Sequence, residues 1–306
     1  MKRLLAGLLL VCFVATPACV LPNASSVEKR LTIGLALGSG GAGGLAHIGM
    51  LQVFDELNIK PDRIVGTSIG AVIGGLYAAG LDAAVIRDIF EQFGGSELDV
   101  LTKLMEPTSA LDLGDLVDLD ISNGALFDSN GFLKFLLKKI SARTFKELAI
   151  PLEVISTDYW TGKTVVLDSG DLFTAIQASM AVPGLFTPVV QNDRLLIDGG
   201  TSNPLPFDQL TGKFDIIIAI DVSGSRDPAS RDQVGWSDLL FNTFEIMQQS
   251  IIAEKRQQKQ PHIYIKPDIR NIRLLHFNRI DEILEQAKPA ASELKERLAA
   301  RLKEAS

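Results

Sequence analysis

The sequence predicts an α/β fold of three layers, in which helices cover both faces of a mainly parallel central sheet. From Leu31 onward, short apolar runs alternate with longer stretches of helical periodicity, a pattern typical of strands joined by crossover helices. The run 214–221, FDIIIAID, is apolar at successive positions, as a strand buried on both faces is. With 306 residues, 46% apolar and 22% charged, the chain is large enough for one folded domain.

The same patterns locate the individual elements. Segment 94–130 is the least regular part and is expected to form a cap over the sheet. Strands are predicted at 32–37, 63–65, 152–157, 163–167, 194–197, 216–221 and 262–265. Helices are predicted at 44–57, 69–79, 83–93, 131–141, 171–179, 237–258 and 279–303.

The beginning of the chain has the layout of an export signal. Lys2 and Arg3 precede an apolar stretch over 4–14, and small residues follow up to Ala18. That stretch is too short to span a bilayer as a helix. We therefore expect residues 1–18 to be a signal peptide, 19–28 a short polar tether and 29–306 the folded domain.

The two cysteines, Cys12 and Cys19, bear on localisation. Cys12 lies inside the expected signal, so cleavage after residue 18 leaves Cys19 alone at the new N-terminus, where it resembles a bacterial lipidation site. Thr16 and Pro17 depart from that pattern, which normally has leucine and a small residue there. We expect lipid attachment at Cys19, membrane anchoring and a location in the cell envelope. The alternative is ordinary secretion with an incidental cysteine.

The net charge and composition of the chain limit the kinds of partner and cofactor that are expected. The net charge is −7 and no long basic run occurs, so nucleic acid is not an expected partner. No residues have metal-ligand spacing, so neither a metal nor another cofactor is expected.

Ser68 lies in the strongest local motif, Gly66-Thr-Ser-Ile-Gly70. The motif follows a predicted strand and opens a predicted helix. A serine at such a tight turn is pushed out of the sheet, and the flanking glycines relieve the resulting crowding. The helix N-terminus behind it favours a developing negative charge.

A glycine-rich loop, residues 38–44 (GSGGAGG), also joins a strand to a helix. Gly38, Gly40 and Gly43 have the spacing of a dinucleotide site, but that site needs an acidic residue at the end of the next strand. The next strand ends in Val65-Gly-Thr67, which has none. We therefore expect this glycine loop to bind an anion, such as an oxyanion, through its backbone N–H groups.

Two aspartates are candidates for a catalytic base. Asp198, before Gly199 and Gly200, ends one predicted strand, and Asp221 ends another. Carboxyl ends of parallel strands share one edge of the sheet, so either aspartate is expected on the edge that carries Ser68. Spacing alone does not choose between them.

Four ordered blocks resemble the bacterial patatin-like phospholipases: GSGGAGGLAHIG (38–49), GTSIG (66–70), ASMAVPGLFTP (178–188) and DGG (198–200). The segments STDYWTGKTVVLDSG (156–170) and around 265–268 are similar too. The resemblance covers about residues 31–290. It implies a serine lipid acyl hydrolase with a Ser–Asp dyad: Ser68 as nucleophile, Asp198 as base, and an oxyanion loop at Gly40, Gly41, Ala42 and Gly43.

The implied mechanism sets requirements on this chain. Asp198 must be partly desolvated, because a carboxylate with an ordinary pKa near 4 is a poor base for an alcohol. The expected substrate is a lipid or fatty-acyl ester. One departure is Gly43, where the family usually has Arg or Lys, so a positive charge near the oxyanion or a lipid phosphate is missing.

Two other functions remain open from the sequence. A histidine-dependent α/β-hydrolase esterase needs His262 or His276, which follow Ser68 and Asp198 in the usual chain order. His47 is expected to be a packing or capping residue. A non-catalytic lipid- or partner-binding lipoprotein is the other alternative, favoured by Gly43.

Overall fold

The computed structural model describes residues 30–94, 125–127, 133, 135, 136, 138–225 and 236–304. The expected signal peptide, Cys19, the tether and nearly all of the expected cap lie outside the described residues. The predicted helix 131–141 is described only in part, with Leu133, Phe135 and Leu136 helical. Within these ranges no helix is both long and apolar enough to cross a membrane.

The predicted strands are present, as are the predicted helices other than 131–141, with boundaries shifted by at most two residues. The strands are β1 Ile33–Leu37, β2 Arg63–Thr67, β3 Ala125–Phe127, β4 Leu152–Asp158, β5 Thr164–Leu167, β6 Gly184–Phe186, β7 Val189–Gln191, β8 Arg194–Asp198, β9 Ile216–Ile220 and β10 Ile263–Ile265. The α-helices are α1 Ala46–Glu56, α2 Ile69–Ala78, α3 Ala83–Gly94, α4 Leu172–Ser179, α5 Trp236–Gln258 and α6 Ile280–Glu304.

The main sheet has the order β10-β9-β1-β2-β4-β8-β7, with β5 also paired to β4. The five strands from β10 to β4 are parallel, and β5, β7 and β8 are antiparallel to their neighbours. The predicted α/β fold with a mainly parallel sheet is confirmed. Strands β3, β6 and β7, of three residues each, were not predicted.

Helices pack on both faces of the sheet, because alternate side chains of each strand point to opposite sides. Leu35 and Leu37 of β1 belong to the larger core cluster, together with residues of α1, α2, α3 and α6. Ala36 belongs to a second cluster with Phe207 and with Ile252 of α5. The sheet is thus the middle of three layers.

The β8–β7 end of the sheet is covered differently. Helix α4 packs through Ala178 against Val189 and Leu196 on one face. On the opposite face Tyr159 and Val190 remain 53% and 74% exposed. In the described part of the chain, this end therefore has a helix on one face only.

Helix α2 approaches β1 so closely that Gly70 has no room for a side chain. A Cβ at Gly70 would lie 2.3 Å from the carbonyl oxygen of Leu37. At Gly49 in α1, the nearest atom to an added Cβ, on Leu284, is 3.9 Å away, an ordinary contact. Gly70 is therefore required by packing, whereas Gly49 is not.

We expect Gly70→Ala to lower the free energy of unfolding by about 1–3 kcal/mol, because the new methyl group overlaps a backbone oxygen. Gly49→Ala is the matched control and should be neutral or stabilising by up to about 1 kcal/mol, since alanine favours a helix. Urea unfolding of the full chain measures both changes. Equal stability of the two variants would contradict the close approach of α2 and β1.

Candidate active site

Ser68 occupies a strained turn between β2 and α2. Its φ of 56° and ψ of −123° lie in a region that residues with a side chain rarely adopt. Neighbouring bonds hold the turn: the Ser68 N–H donates to Ser179 Oγ (2.8 Å), and Thr67 Oγ1 donates to the Asn203 carbonyl (2.9 Å). A Cβ at Gly66 would lie 2.6 Å from Ala71 Cα, so a side chain is excluded there. The motif forms the predicted strand–turn–helix.

Strand β4 brings Asp198 to Ser68. The first half of β4 pairs with β2, placing Thr67 opposite Ile155. The second half pairs with β8, placing Asp198 opposite Ser156. Strands β2 and β8 therefore end opposite adjacent residues of β4, so that their last residues, Thr67 and Asp198, lie close together.

This geometry corrects one expectation. Asp198 was expected to share an edge with Ser68 because both end parallel strands. Strand β8 is instead antiparallel to β4 and therefore to β2. Because β2 and β8 pair with successive parts of β4, the last residue of β8 lies next to the end of β2.

The Asp198 backbone is held from both sides. Its N–H donates to the Ala181 carbonyl at 2.9 Å, and its carbonyl accepts from Thr157 Oγ1 at 3.0 Å. The next two residues have no space for side chains: a Cβ at Gly199 would lie 2.2 Å from the Ile155 carbonyl oxygen, and one at Gly200 would lie 2.3 Å from Gln248 Nε2. The Asp-Gly-Gly sequence thus follows from the crowding around this carboxylate.

The Asp198 carboxylate is buried, with 1% exposure. Oδ1 accepts from the Gly200 N–H at 2.6 Å, whereas Oδ2 has no partner of hydrogen-bond geometry among the described residues. The Ser68 side chain is still close enough to lower the Asp198 pKa, so its contact with the carboxylate is long or poorly aligned, as in many ligand-free sites. Desolvation outweighs both interactions and raises the pKa of Asp198 to about 7.

The glycine loop packs against the start of α2. A Cβ at Gly44 would lie 2.2 Å from Ile69 Cγ2, and one at Gly40 would lie 2.5 Å from the Val222 carbonyl oxygen. Gly41 has a positive φ of 53° and lies close to Leu274. The loop is therefore rich in glycine because its backbone touches three neighbouring segments.

Among the four predicted oxyanion donors, the N–H groups differ. No described residue accepts a hydrogen bond from Gly40 or Gly41. The Ala42 N–H donates to the Leu274 carbonyl at 2.8 Å, so it is not available to an oxyanion in this conformation. Ala42 therefore has another partner here, and its role as an oxyanion donor stays a prediction.

Gly43 is not required by packing. The nearest atoms to an added Cβ are the Val222 carbonyl oxygen at 3.5 Å and Ile269 Cγ2 at 3.6 Å, both ordinary contacts. The backbone at this position thus accommodates a residue with a side chain, and the absence of a basic residue is a feature of the sequence rather than of the fold.

Gln248 is a site residue that the sequence analysis missed. It lies on α5, is 4% exposed, and its Oε1 accepts from Ser39 Oγ of the glycine loop at 2.7 Å. Its Nε2 lies against Gly200, beside Asp198. Gln248 therefore connects the two halves of the site, but a glutamine in a largely polar helix carries no sequence signal of burial.

Asp221, the competing aspartate, has other partners. Its Oδ1 accepts from the N–H and Oγ of Ser223 at 2.9 and 2.6 Å, and its Oδ2 accepts from the Tyr264 hydroxyl at 2.6 Å. Lys266 Nζ is 3.4 Å from Oδ2. This carboxylate stabilises the end of β9.

The histidines make local structural contacts. His47 Nε2 donates to the Gly38 carbonyl (2.8 Å), and burial lowers its pKa to about 4, so it is neutral at pH 7. His262 Nδ1 accepts from the Ile217 N–H at the amino end of β9, the edge opposite Ser68. His276 Nδ1 accepts from the Arg273 N–H at 3.2 Å. Among the described residues, no histidine contributes to the pKa shift of Asp198.

The fold and site define an α/β protein in which a serine hydroxyl lies next to a buried carboxylate. More particularly, the chain belongs to the patatin-like phospholipase family, whose family model matches residues 35–211. It is 33% identical over 217 residues to an uncharacterised NTE family protein of Mycobacterium tuberculosis, covering 71% of this chain and 55% of that protein.

More distant relatives include Lysophospholipase NTE1 of Kluyveromyces lactis, 29% identical over 282 residues, covering 83% of this chain and 18% of that protein. The chain thus spans about half, or less, of these curated relatives. Among solved structures, VipD of Legionella pneumophila has a TM-score of 0.45 at 13% identity, covering 88% of this chain and 67% of VipD. ExoU of Pseudomonas aeruginosa has a TM-score of 0.43 at 14% identity, covering 89% and 53%.

The buried carboxylate predicts a pH-dependent stability. Because the pKa of Asp198 is about 7 when folded and 3.8 as an ordinary value, the folded state binds a proton more tightly, and stability falls as the pH rises from about 4 to 7. Asp198→Asn keeps an acceptor for the Gly200 N–H but carries no charge. It should be more stable than the parent above pH 7, by up to about 4 kcal/mol, with the difference vanishing near pH 4.

Thermal and urea unfolding of the full chain between pH 4 and 8 measure this difference. A parent and an Asn variant with the same pH dependence of stability would show that the carboxylate is not desolvated.

Proposed function

We propose that this protein hydrolyses carboxylic ester bonds of lipids, with Ser68 as nucleophile and Asp198 as general base. The observation that carries the proposal is the buried Asp198 carboxylate beside a serine on a strained turn. One of its oxygens has no hydrogen-bond partner among the residues that the structure describes. A pKa of about 7 suits a base that must accept a proton near neutral pH.

In the first half of the reaction, Ser68 Oγ attacks the ester carbonyl and its proton moves to Asp198 Oδ2. The C–O bond to the leaving alcohol breaks, and the alkoxide takes the proton from Asp198. In the second half, a water molecule gives a proton to Asp198 and attacks the acyl-enzyme. The fatty acid leaves, and Ser68 regains its proton.

The tetrahedral oxyanion is stabilised by backbone donors. The Gly40 and Gly41 N–H groups are available, and the loop that carries them packs on the start of α2. The amino end of α2 adds the positive end of its helix dipole directly after Ser68. A contribution from the Gly43 N–H stays a prediction.

The family and one relative support a lipid substrate. A curated relative is named a lysophospholipase, and the family description is patatin-like phospholipase. We propose a fatty-acyl ester of a lipid as the substrate. Without a basic residue at Gly43, the chain has one charge fewer for a lipid phosphate, so we expect a smaller advantage of phospholipids over simple esters.

The test is hydrolysis of a medium-chain nitrophenyl ester and of a phospholipid by the full chain and its variants. Ser68→Ala and Asp198→Ala should each lower kcat/KM by about a thousandfold or more, because each removes a group that acts on the reacting atoms. For the parent protein, kcat/KM should rise with pH up to about 7 and then level off, since the carboxylate form is the active one.

Histidine variants provide the control. His262→Ala and His276→Ala should retain activity on both esters. Loss of turnover in either one, with Asp198→Ala active, would instead support a histidine-dependent esterase. A parent protein that cleaves neither ester, and whose Ser68 resists a fluorophosphonate label, would favour the non-catalytic lipid-binding function.

We further propose that the protein is exported and lipid-anchored in the cell envelope. The charged and apolar beginning of the chain and the position of Cys19 support this. In fractionated bacterial cells, Cys19→Ser should move from the membrane fraction to the soluble envelope fraction. A membrane fraction unchanged by Cys19→Ser would contradict anchoring through this residue.

A further inference from the structure

Three large apolar side chains are exposed together at the β8–β7 end of the sheet: Tyr159 at 53%, Trp160 at 74% and Val190 at 74%. Tyr159 donates its N–H to the Leu195 carbonyl, and Leu195 is paired with Val190. Residues directly opposite in neighbouring strands point to the same face, so Tyr159 and Val190 share a surface. We call Tyr159, Trp160 and Val190 the rim patch.

The rim patch is held in an ordered turn. Asp158 Oδ1 accepts from the N–H groups of Trp160 and Thr161 at 3.0 and 2.9 Å, and Gly162 provides a positive φ of 66°. The rings of Tyr159 and Trp160 are edge to face, with centroids 4.9 Å apart. A contact made by preorganised side chains loses little conformational entropy on binding.

The rim patch lies beyond the end of β2, in the direction in which that strand runs toward Ser68. Strand β4 runs parallel to β2 and passes Asp198 at Ser156. The chain then continues in the same direction for three residues, about 10 Å, to reach Tyr159. The aromatic turn is therefore at the rim of the site rather than behind it.

A second group of exposed apolar residues lies on α5. This helix also carries Gln248, which touches the glycine loop and Gly200. Within three turns of Gln248, four side chains are about half exposed or more: Leu239, Leu240, Ile246 and Met247. Apolar surface therefore occurs both at the rim and on the helix that contacts the site, whereas Val85 is exposed on the separate helix α3.

The chemistry of the rim patch suits a lipid surface. Tyrosine and tryptophan combine an apolar ring with a polar group, which favours the headgroup level of a bilayer. Lys163 and Arg194 are exposed beside the turn and offer charge for lipid phosphates. The chain as a whole carries −7, so long-range attraction to an anionic membrane is not the source of binding.

We propose that the rim patch inserts into the headgroup region of a lipid bilayer and brings the edge of the sheet that carries Ser68 toward the membrane. This inference rests on the proposed function for its biological purpose, since a lipid ester then reaches Ser68 without crossing water. The insertion itself can be measured in a protein that has no catalytic activity.

Tryptophan fluorescence tests the insertion at one position. The chain has two tryptophans, Trp160 and Trp236, so the full chain with Trp236→Phe reports on Trp160 alone. In a Ser68→Ala background, phosphatidylcholine vesicles should shift its emission to shorter wavelength, and lipids brominated on the acyl chains should quench it. The readout is local, so other membrane contacts of the chain do not produce it.

Matched substitutions separate the rim patch from general surface effects. In the same background, Val190→Ser should reduce the quenching, whereas Val85→Ser on α3 should leave it unchanged. With Ser68 intact, Tyr159→Ser and Trp160→Ser should lower hydrolysis of vesicle phospholipid roughly tenfold, and hydrolysis of a soluble nitrophenyl ester by less than about twofold.

Each contrary outcome has one meaning. Unshifted, unquenched Trp160 emission with vesicles present would overturn the inference, as would an equal loss of both activities. A Tyr159→Ser variant that changes from dimer to monomer in light scattering would identify the patch as a contact between copies of this chain. If Trp160 is quenched but the parent cleaves no ester, the proposed function fails and the membrane contact stands.

Discussion

The site depends on the pairing of strand β4 with two different neighbours. Up to Ile155 the strand is bonded to β2, and from Ser156 onward it is bonded to β8, which runs the other way. That change of partner brings the ends of two strands together, and Ser68 and Asp198 are the residues at those ends. A shift of register in β8 by one residue would turn Asp198 to the other face of the sheet, away from the serine.

Burial gives Asp198 its chemistry and also makes it costly to the fold. Removing the carboxylate from water disfavours its charged form, which raises the pKa toward neutrality and produces a usable base. The Gly200 N–H offsets part of that cost at one oxygen, and the other oxygen has no hydrogen-bond partner in the described part of the chain. The strained backbone of Ser68 also costs free energy. Hydrogen bonds from Ser68 to Ser179 and from Thr67 to Asn203 hold this conformation, which the turn alone does not favour.

The surroundings of the site combine close backbone contact with exposed apolar surface. Glycines allow the loop, α2 and the Asp198 turn to approach within distances that exclude side chains, and Gln248 links the loop to that turn. At the rim, in contrast, Tyr159 and Trp160 stand exposed on an ordered turn. Close backbone packing beside exposed apolar surface is consistent with the proposed use of a lipid substrate.

The sequence by itself determined the α/β class, the main strands and helices, and the blocks that identify the patatin-like phospholipase family, because apolar periodicity and glycine-rich turns are local properties. It left Asp198 and Asp221 equivalent on spacing, and it contained no sign of Gln248 or of the bond between the Ala42 N–H and the Leu274 carbonyl. Only the tertiary structure gave these two contacts and the different surroundings of the two aspartates, because strand direction, burial and the partner of a backbone N–H depend on segments far apart in the chain. Asp198 has its raised pKa, and Asp221 its full set of partners, through neighbours that no local pattern encodes.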